Sequence, residues 1–126
     1  MVAKAKRPRE HWKDEPEEHD FPAAAGYLSL TLPEHVSAAI TDALRSAAPT
    51  HRKAKDLLRA ARLELLPRDD PEVAKDLKKV ARGEVLSPVL LVRGAPLVVA
   101  DGYHRICASY HLDEDADIPC RLVDVP

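Results

Sequence analysis

The sequence predicts an α+β domain, on three observations. Apolar residues recur at helical spacing through much of residues 33–82. From residue 88 the chain changes to short aliphatic runs rich in valine. The second half then reads strand, turn, strand, helix, strand. A length of 126 residues fits one compact domain. Hydrophobic residues make up 45% of the chain but aromatic ones only 4%, so the expected core is small and aliphatic.

Residues 1–20 pass from basic to acidic and hold little to bury, which predicts a flexible charged tail; Trp12 is the one side chain able to dock it. Residues 21–61 follow as an N-terminal helical segment. Thr31-Leu32-Pro33-Glu34 has the spacing of a capping box, with Pro33 suited to a first turn. Val36, Ala39, Ile40, Ala43, Leu44 and Ala47 continue it as a helix over 33–47, stopped by Pro49. A second helix over 51–61 places Ala54, Leu57, Leu58 and Ala61 inward. Its outer side gathers Arg52, Lys55, Arg59 and Arg62 into a basic stripe, suited to DNA or an acidic protein partner, or simply to solvent. These alanine-rich helices either cover the sheet or form the face of a homodimer.

The remaining residues, 62–126, form the second part. Leu63-Glu64-Leu65-Leu66 is read as a short strand. Asp69-Asp70-Pro71-Glu72 supplies an N-cap carboxylate and a first-turn proline. The helix that follows buries Val73, Leu77, Val80 and Ala81 and ends at Gly83. Residues 88–93 and 97–100 read as a hairpin turning at Gly94-Ala95-Pro96. Asp101-Gly102 opens a helix over 102–112, with Tyr103, Ile106, Cys107 and Tyr110 inward. Asp113-Glu114-Asp115-Ala116-Asp117 is an acidic, solvated loop, and a last strand covers 118–123.

Several function classes are disfavoured. The formal net charge of −2 lacks the basic footprint of an autonomous nucleic-acid binder. Two cysteines, Cys107 and Cys120, are too few for a disulfide framework, and in apolar surroundings they read as small buried hydrophobes. With no apolar leader and no run long enough to span a bilayer, the expectation is a cytoplasmic protein without membrane contact.

The chemistry is concentrated in Val99-Ala100-Asp101-Gly102-Tyr103-His104-Arg105. A strand ends, a glycine turns the backbone, and a helix begins with its free N–H groups directed outward. Phosphate suits that position. His104 and Arg105 place cationic donors at a helix start, where an anion is needed to answer them. Asp101 has three open roles: helix cap, partner of His104, or magnesium ligand. The plainer alternative is a capped helix start with Arg105 paired to Asp101.

The order of elements adds to this. A helix over 72–82, Leu86-Ser87-Pro88-Val89 entering a strand, a hairpin, the Gly-x-His-Arg helix start and Ile118-Pro119-Cys120-Arg121-Leu122-Val123 together resemble the ParB/sulfiredoxin superfamily across residues 62–125. The resemblance implies a small mixed sheet with packed helices. It also implies a nucleotide, ATP or CTP with or without magnesium, whose phosphates are held by Gly102, His104 and Arg105. It adds Lys75 and Lys79 from the preceding helix and Ser87 at the pocket border. Glu72 departs from it, since the family has lysine there. Tyr103 departs further: sulfiredoxins carry their reactive cysteine at this place, and partition-type ParB proteins often carry glutamate. A phenol of pKa about 10 replaces neither. The functional expectation is therefore a nucleotide-binding ParB/sulfiredoxin-like protein, with hydrolysis or phosphotransfer left open. The alternative is a noncatalytic regulatory or DNA-associated module, although no helix-turn-helix segment follows residue 125.

Overall fold

A computed structural model describes residues 11–126. Among these, the order is α1 (Asp20–Leu28), α2 (Glu34–Ser46), β1 (Thr50–Lys53), α3 (Ala54–Ala61), α4 (Pro71–Ala81), β2 (Val89–Val92), β3 (Val98–Asp101), α5 (Tyr103–Leu112) and β4 (Asp117–Val123). The α+β expectation holds. The four strands form one mixed sheet in the order β1-β4-β2-β3. β2 pairs antiparallel with β3 and parallel with β4, and β1 pairs antiparallel with β4.

Helices cover both faces of the sheet, and the period of two along each strand divides the core accordingly. Val89, Leu91, Val99, Ile118 and Cys120 face one side, where they meet Leu57 and Leu58 of α3, Val73 and Val80 of α4 and Ile106 of α5. Leu90, Val92 and Ala100 face the other, against Phe21, Ala24 and Leu28 of α1 and Ile40 and Leu44 of α2. All four residues of β2 are buried, as a central strand covered on both faces requires. Arg121 leaves the sheet on the α2 side and donates through Nη1 to the carbonyls of Leu44 (3.2 Å) and Arg45 (2.6 Å), satisfying the end of that helix.

The helix read over 51–61 begins later, at Ala54. Thr50–Lys53 is instead an edge strand, in register Thr50↔Cys120 through Lys53↔Asp117. A strand of polar and basic residues is tolerated at an edge, where charge also discourages pairing with another chain. The segment 63–66 is not a strand. Its carbonyls are taken by side chains of α5: Tyr103 Oη donates to Glu64 O (2.6 Å), and His111 Nε2 lies 2.7 Å from Leu66 O. The capping box at Thr31 does not form either; Pro33 occupies the N-cap position of α2, with no side-chain cap. The buried stripe of α2 is Ser37, Ile40, Thr41 and Leu44, so the helix is rotated away from the all-apolar reading that included Ala39 and Ala43. Thr41 makes this acceptable by donating its hydroxyl to Ser37 O at 2.8 Å. At the end of α4, Ala81 is exposed rather than buried.

Two expectations hold in detail. Asp70 caps α4, accepting from Glu72 N and Val73 N at 3.1 Å each, and Gly83 leaves the helix at φ 81°. The described half of the charged tail, residues 11–20, packs against the domain. Trp12 is 6% exposed and bridges in parallel to Leu86, with Leu86 N bonded to His11 O (2.6 Å) and Lys13 N to Leu86 O (2.8 Å). The other half of the tail, residues 1–10, lies outside the described residues. No helix of the described residues is long and apolar enough to cross a membrane.

Candidate functional site

α5 starts where β3 ends, because Gly102 takes φ 116°, a conformation that L side chains rarely adopt. Space demands glycine as well: a Cβ here would overlap Val89 Cγ1 and stand 2.9 Å from Val89 Cβ. The first turn of α5 has no side-chain cap and no acidic residue, so its positive pole is left for another group. Asp101 does not cap it. Its Oδ2 accepts from Arg105 Nη2 at 3.0 Å, in a pair whose side chains are 19% and 17% exposed respectively. The same Nη2 reaches Pro88 O at 3.3 Å, while Arg105 Nε is buried without a partner among the described residues.

Arg105 is one wall of a cavity of about 120 Å³. α4 contributes Asp76 and Lys79, the turn before β2 contributes Ser87, and the N-terminal segment closes the cavity with Lys13, Glu17, His19 and Asp20. Tertiary structure thus brings together Lys79, Ser87 and Arg105, three of the residues expected at a phosphate site. Asp101 stands behind Arg105 and Gly102 sets the helix start. His104 is half-buried beside Asp76 without lining the cavity, and Lys75 is exposed on α4 outside it.

Five polar lining residues are absent from the sequence-based expectation: Lys13, Glu17, His19, Asp20 and Asp76. Four belong to the segment taken as tail, where Trp12 was the signal that the chain docks. Asp76 lies three residues before Lys79, on the same side of α4, but in the sequence it is one charge in a charged helix.

The cavity is rich in carboxylates. Burial pushes the Asp76 carboxyl up, against the opposing pull of Arg105 and Lys79. Burial also raises Asp101; Arg105 counteracts this, and the neighbouring Asp20 carboxyl adds to it. Asp20 is 2% exposed and accepts from Glu17 N at 2.9 Å, while Glu17 in turn bonds Lys13. With histidine neutral, the charges of the lining residues balance, three basic against three acidic; Asp101 adds one negative charge behind them.

Tyr103 points away from this cavity, its phenol held on Glu64 O, and burial raises its pKa. Cys107 is fully buried, with its thiol likewise pushed up by burial, so neither group offers a nucleophile.

The basic stripe does not survive as one helical face. Arg52 lies on β1 and Arg62 takes a left-handed conformation past the end of α3. Lys55 pairs with Asp115 (2.6 Å) and Arg59 with Asp56 (3.2 Å). Arg52 instead borders a second, apolar cavity of about 190 Å³ with Leu57, Leu91, Leu97 and Leu122.

Fold and site define an α+β domain with a polar, charge-lined cavity at a glycine-initiated helix start. No protein-family model matches the chain, and no curated protein or solved structure matches it significantly.

Proposed function

We propose that this protein binds a nucleotide through its phosphates at the start of α5, as a ParB/sulfiredoxin-like module. The observation that carries the reading is Arg105. It stands at an uncapped helix N-terminus, lines a cavity shared with Lys79 and Ser87, and retains a buried Nε donor without a partner among the described residues. A phosphate oxygen answers the helix dipole and that donor together. His104, one residue before but outside the cavity lining, is a further donor at the helix start, and Lys79 supplies a point charge within the cavity. Nucleotides of this kind, ATP or CTP, carry magnesium, which also relieves the repulsion between phosphate and the carboxylates of Glu17, Asp20 and Asp76. The reading is one of binding; neither Tyr103 nor Cys107 supports the chemistry of the family's reactive positions.

Calorimetric titration with ATP, CTP, GTP and ADP, with and without magnesium, tests it. Lys79→Ala, His104→Ala and Arg105→Lys are titrated alongside, with circular dichroism confirming that each is folded. Micromolar binding lost in the variants supports the site and names the base. Absence of binding by every nucleotide rejects it. Inorganic phosphate released from the same mixtures separates a hydrolase from a noncatalytic regulatory module.

A further inference from the structure

We propose that Glu17, His19 and Asp20 form a binding site for a first-row divalent cation of the Zn²⁺ or Mn²⁺ type. One ligand atom from each residue lies within 4.8 Å of the other two. His19 Nε2 stands 3.2 Å from Glu17 Oε2 and 3.4 Å from Asp20 Oδ1. A tetrahedral ion with bonds of about 2.0–2.2 Å spaces its ligand atoms about 3.3–3.6 Å apart, so these two separations are close to those around a bound ion.

A second observation points the same way. The side chain of Asp20 is only 3% exposed, yet its ion pair among the described residues is with His19, which is charged only when protonated. Among the described residues no lysine or arginine pairs with it, and its other charged-group neighbour is the Asp101 carboxyl. A buried carboxylate is ordinarily paired with a permanent charge or bound to a metal. Its Oδ2 is fixed by the Glu17 N–H, which leaves Oδ1 toward His19 and holds the carboxylate in a ligating orientation. Glu17 is arranged in the same manner: Oε1 takes Lys13 and Oε2 faces His19. The second oxygen is therefore available while the Lys13 contact is kept.

The three residues open onto the cavity, which gives an ion an entry path and room for further ligands. Asp76 lines that cavity and Asp101 adjoins Asp20, so the local potential favours a cation. One imidazole nitrogen with two carboxylates is a borderline donor set, better matched to Zn²⁺ or Mn²⁺ than to Mg²⁺. The site shares the cavity of the nucleotide reading but does not depend on it, because the metal is titrated without nucleotide.

The test is calorimetry of the full, untagged, metal-stripped chain with ZnCl₂ and, separately, MnCl₂. One ion per chain is expected, with affinity weakened at least about tenfold in Asp20→Asn and in His19→Ala. His19 is 76% exposed, so His19→Ala keeps the fold even if Asp20→Asn does not. Glu17→Gln is the third variant and behaves as His19→Ala. Failure of both ions to bind overturns the proposal. So does stoichiometric uptake that is unchanged in His19→Ala and Glu17→Gln, which places the ion elsewhere.

Discussion

Arg105 and Asp101 close a largely buried ion pair across the strand-to-helix junction, with Nη2 and Oδ2 3.0 Å apart. The pair places the guanidinium between a carboxylate, the Pro88 carbonyl and the cavity, and it opposes the upward push that burial gives the Asp101 carboxyl. The two partners are unequal. Removing the cation strands a buried acid next to Asp20, whereas neutralising the acid leaves an arginine that still reaches Pro88. Arg105→Ala is therefore expected to cost about 2–4 kcal/mol, and Asp101→Asn clearly less, about 1 kcal/mol. Urea denaturation of the two variants checks the ranking; equal losses would contradict it.

Gly102→Ala is expected to destabilise by about 2–4 kcal/mol. It combines the cost of φ 116° for an L residue with overlap against Val89. Val89→Ala in the same chain relieves the overlap and leaves the conformational part. Thermal unfolding of the single and double variants separates the two contributions. A double variant less stable than the sum of the singles would show that crowding is not the cause.

Trp12 is the chain's single tryptophan, so its fluorescence reports the docked segment without labelling. At 6% exposure its emission is expected to be blue-shifted in the native state. Trp12→Ala removes the anchor of residues 11–20 at a cost of about 3 kcal/mol. Hydrogen exchange at Lys13 and Leu86, whose amides bond across this junction, is then expected to speed up markedly, while amides of β2 stay protected.

Burial pushes the Cys120 thiol up to about 11. A group whose folded pKa is raised contributes stability that is complete below its unfolded pKa and is lost as pH rises through the folded value. Stability should accordingly fall between about pH 9 and pH 11, by roughly 2–3 kcal/mol from this thiol. Cys120→Ala shows a shallower decline over that window, measured by urea unfolding at stepped pH. Parallel declines in the two proteins would assign the loss to other groups.

Helix caps provide a paired comparison. Asp70 bonds two amides at the start of α4, so Asp70→Ala is expected to cost about 1 kcal/mol. Thr31→Ala is expected to be near neutral, because the capping box that its sequence spells does not form. Chemical denaturation of both variants decides the point.

Local signals agree with the structure wherever local physics decides the outcome. Asp70-Pro71 and Gly83 bound α4 in sequence and in structure, and the aliphatic runs at 89–92 and 98–101 pair as a hairpin. Local signals mislead where a distant partner sets the state of a segment. Thr50–Lys53 carries no strand pattern of its own and becomes one because β4 presents an unpaired edge. Leu63–Leu66 looks like a strand but gives its carbonyls to Tyr103 and His111. The helix α1, with Phe21, Ala24 and Leu28 inward, lies in the segment expected to be helical, but its short apolar stripe after a charged run does not mark its bounds.

By itself, the sequence determined the fold class, the hairpin, the glycine-initiated start of α5 and the pairing options of Arg105, because each depends on residues within a few positions. Tertiary structure alone decided that residues 11–20 return to close the cavity, that Lys79 and Ser87 meet Arg105 there, and that Lys75 does not. The reason is physical. Charged side chains at the surface are nearly equivalent in a sequence, and only packing of distant backbone decides which of them lose their water and face one another.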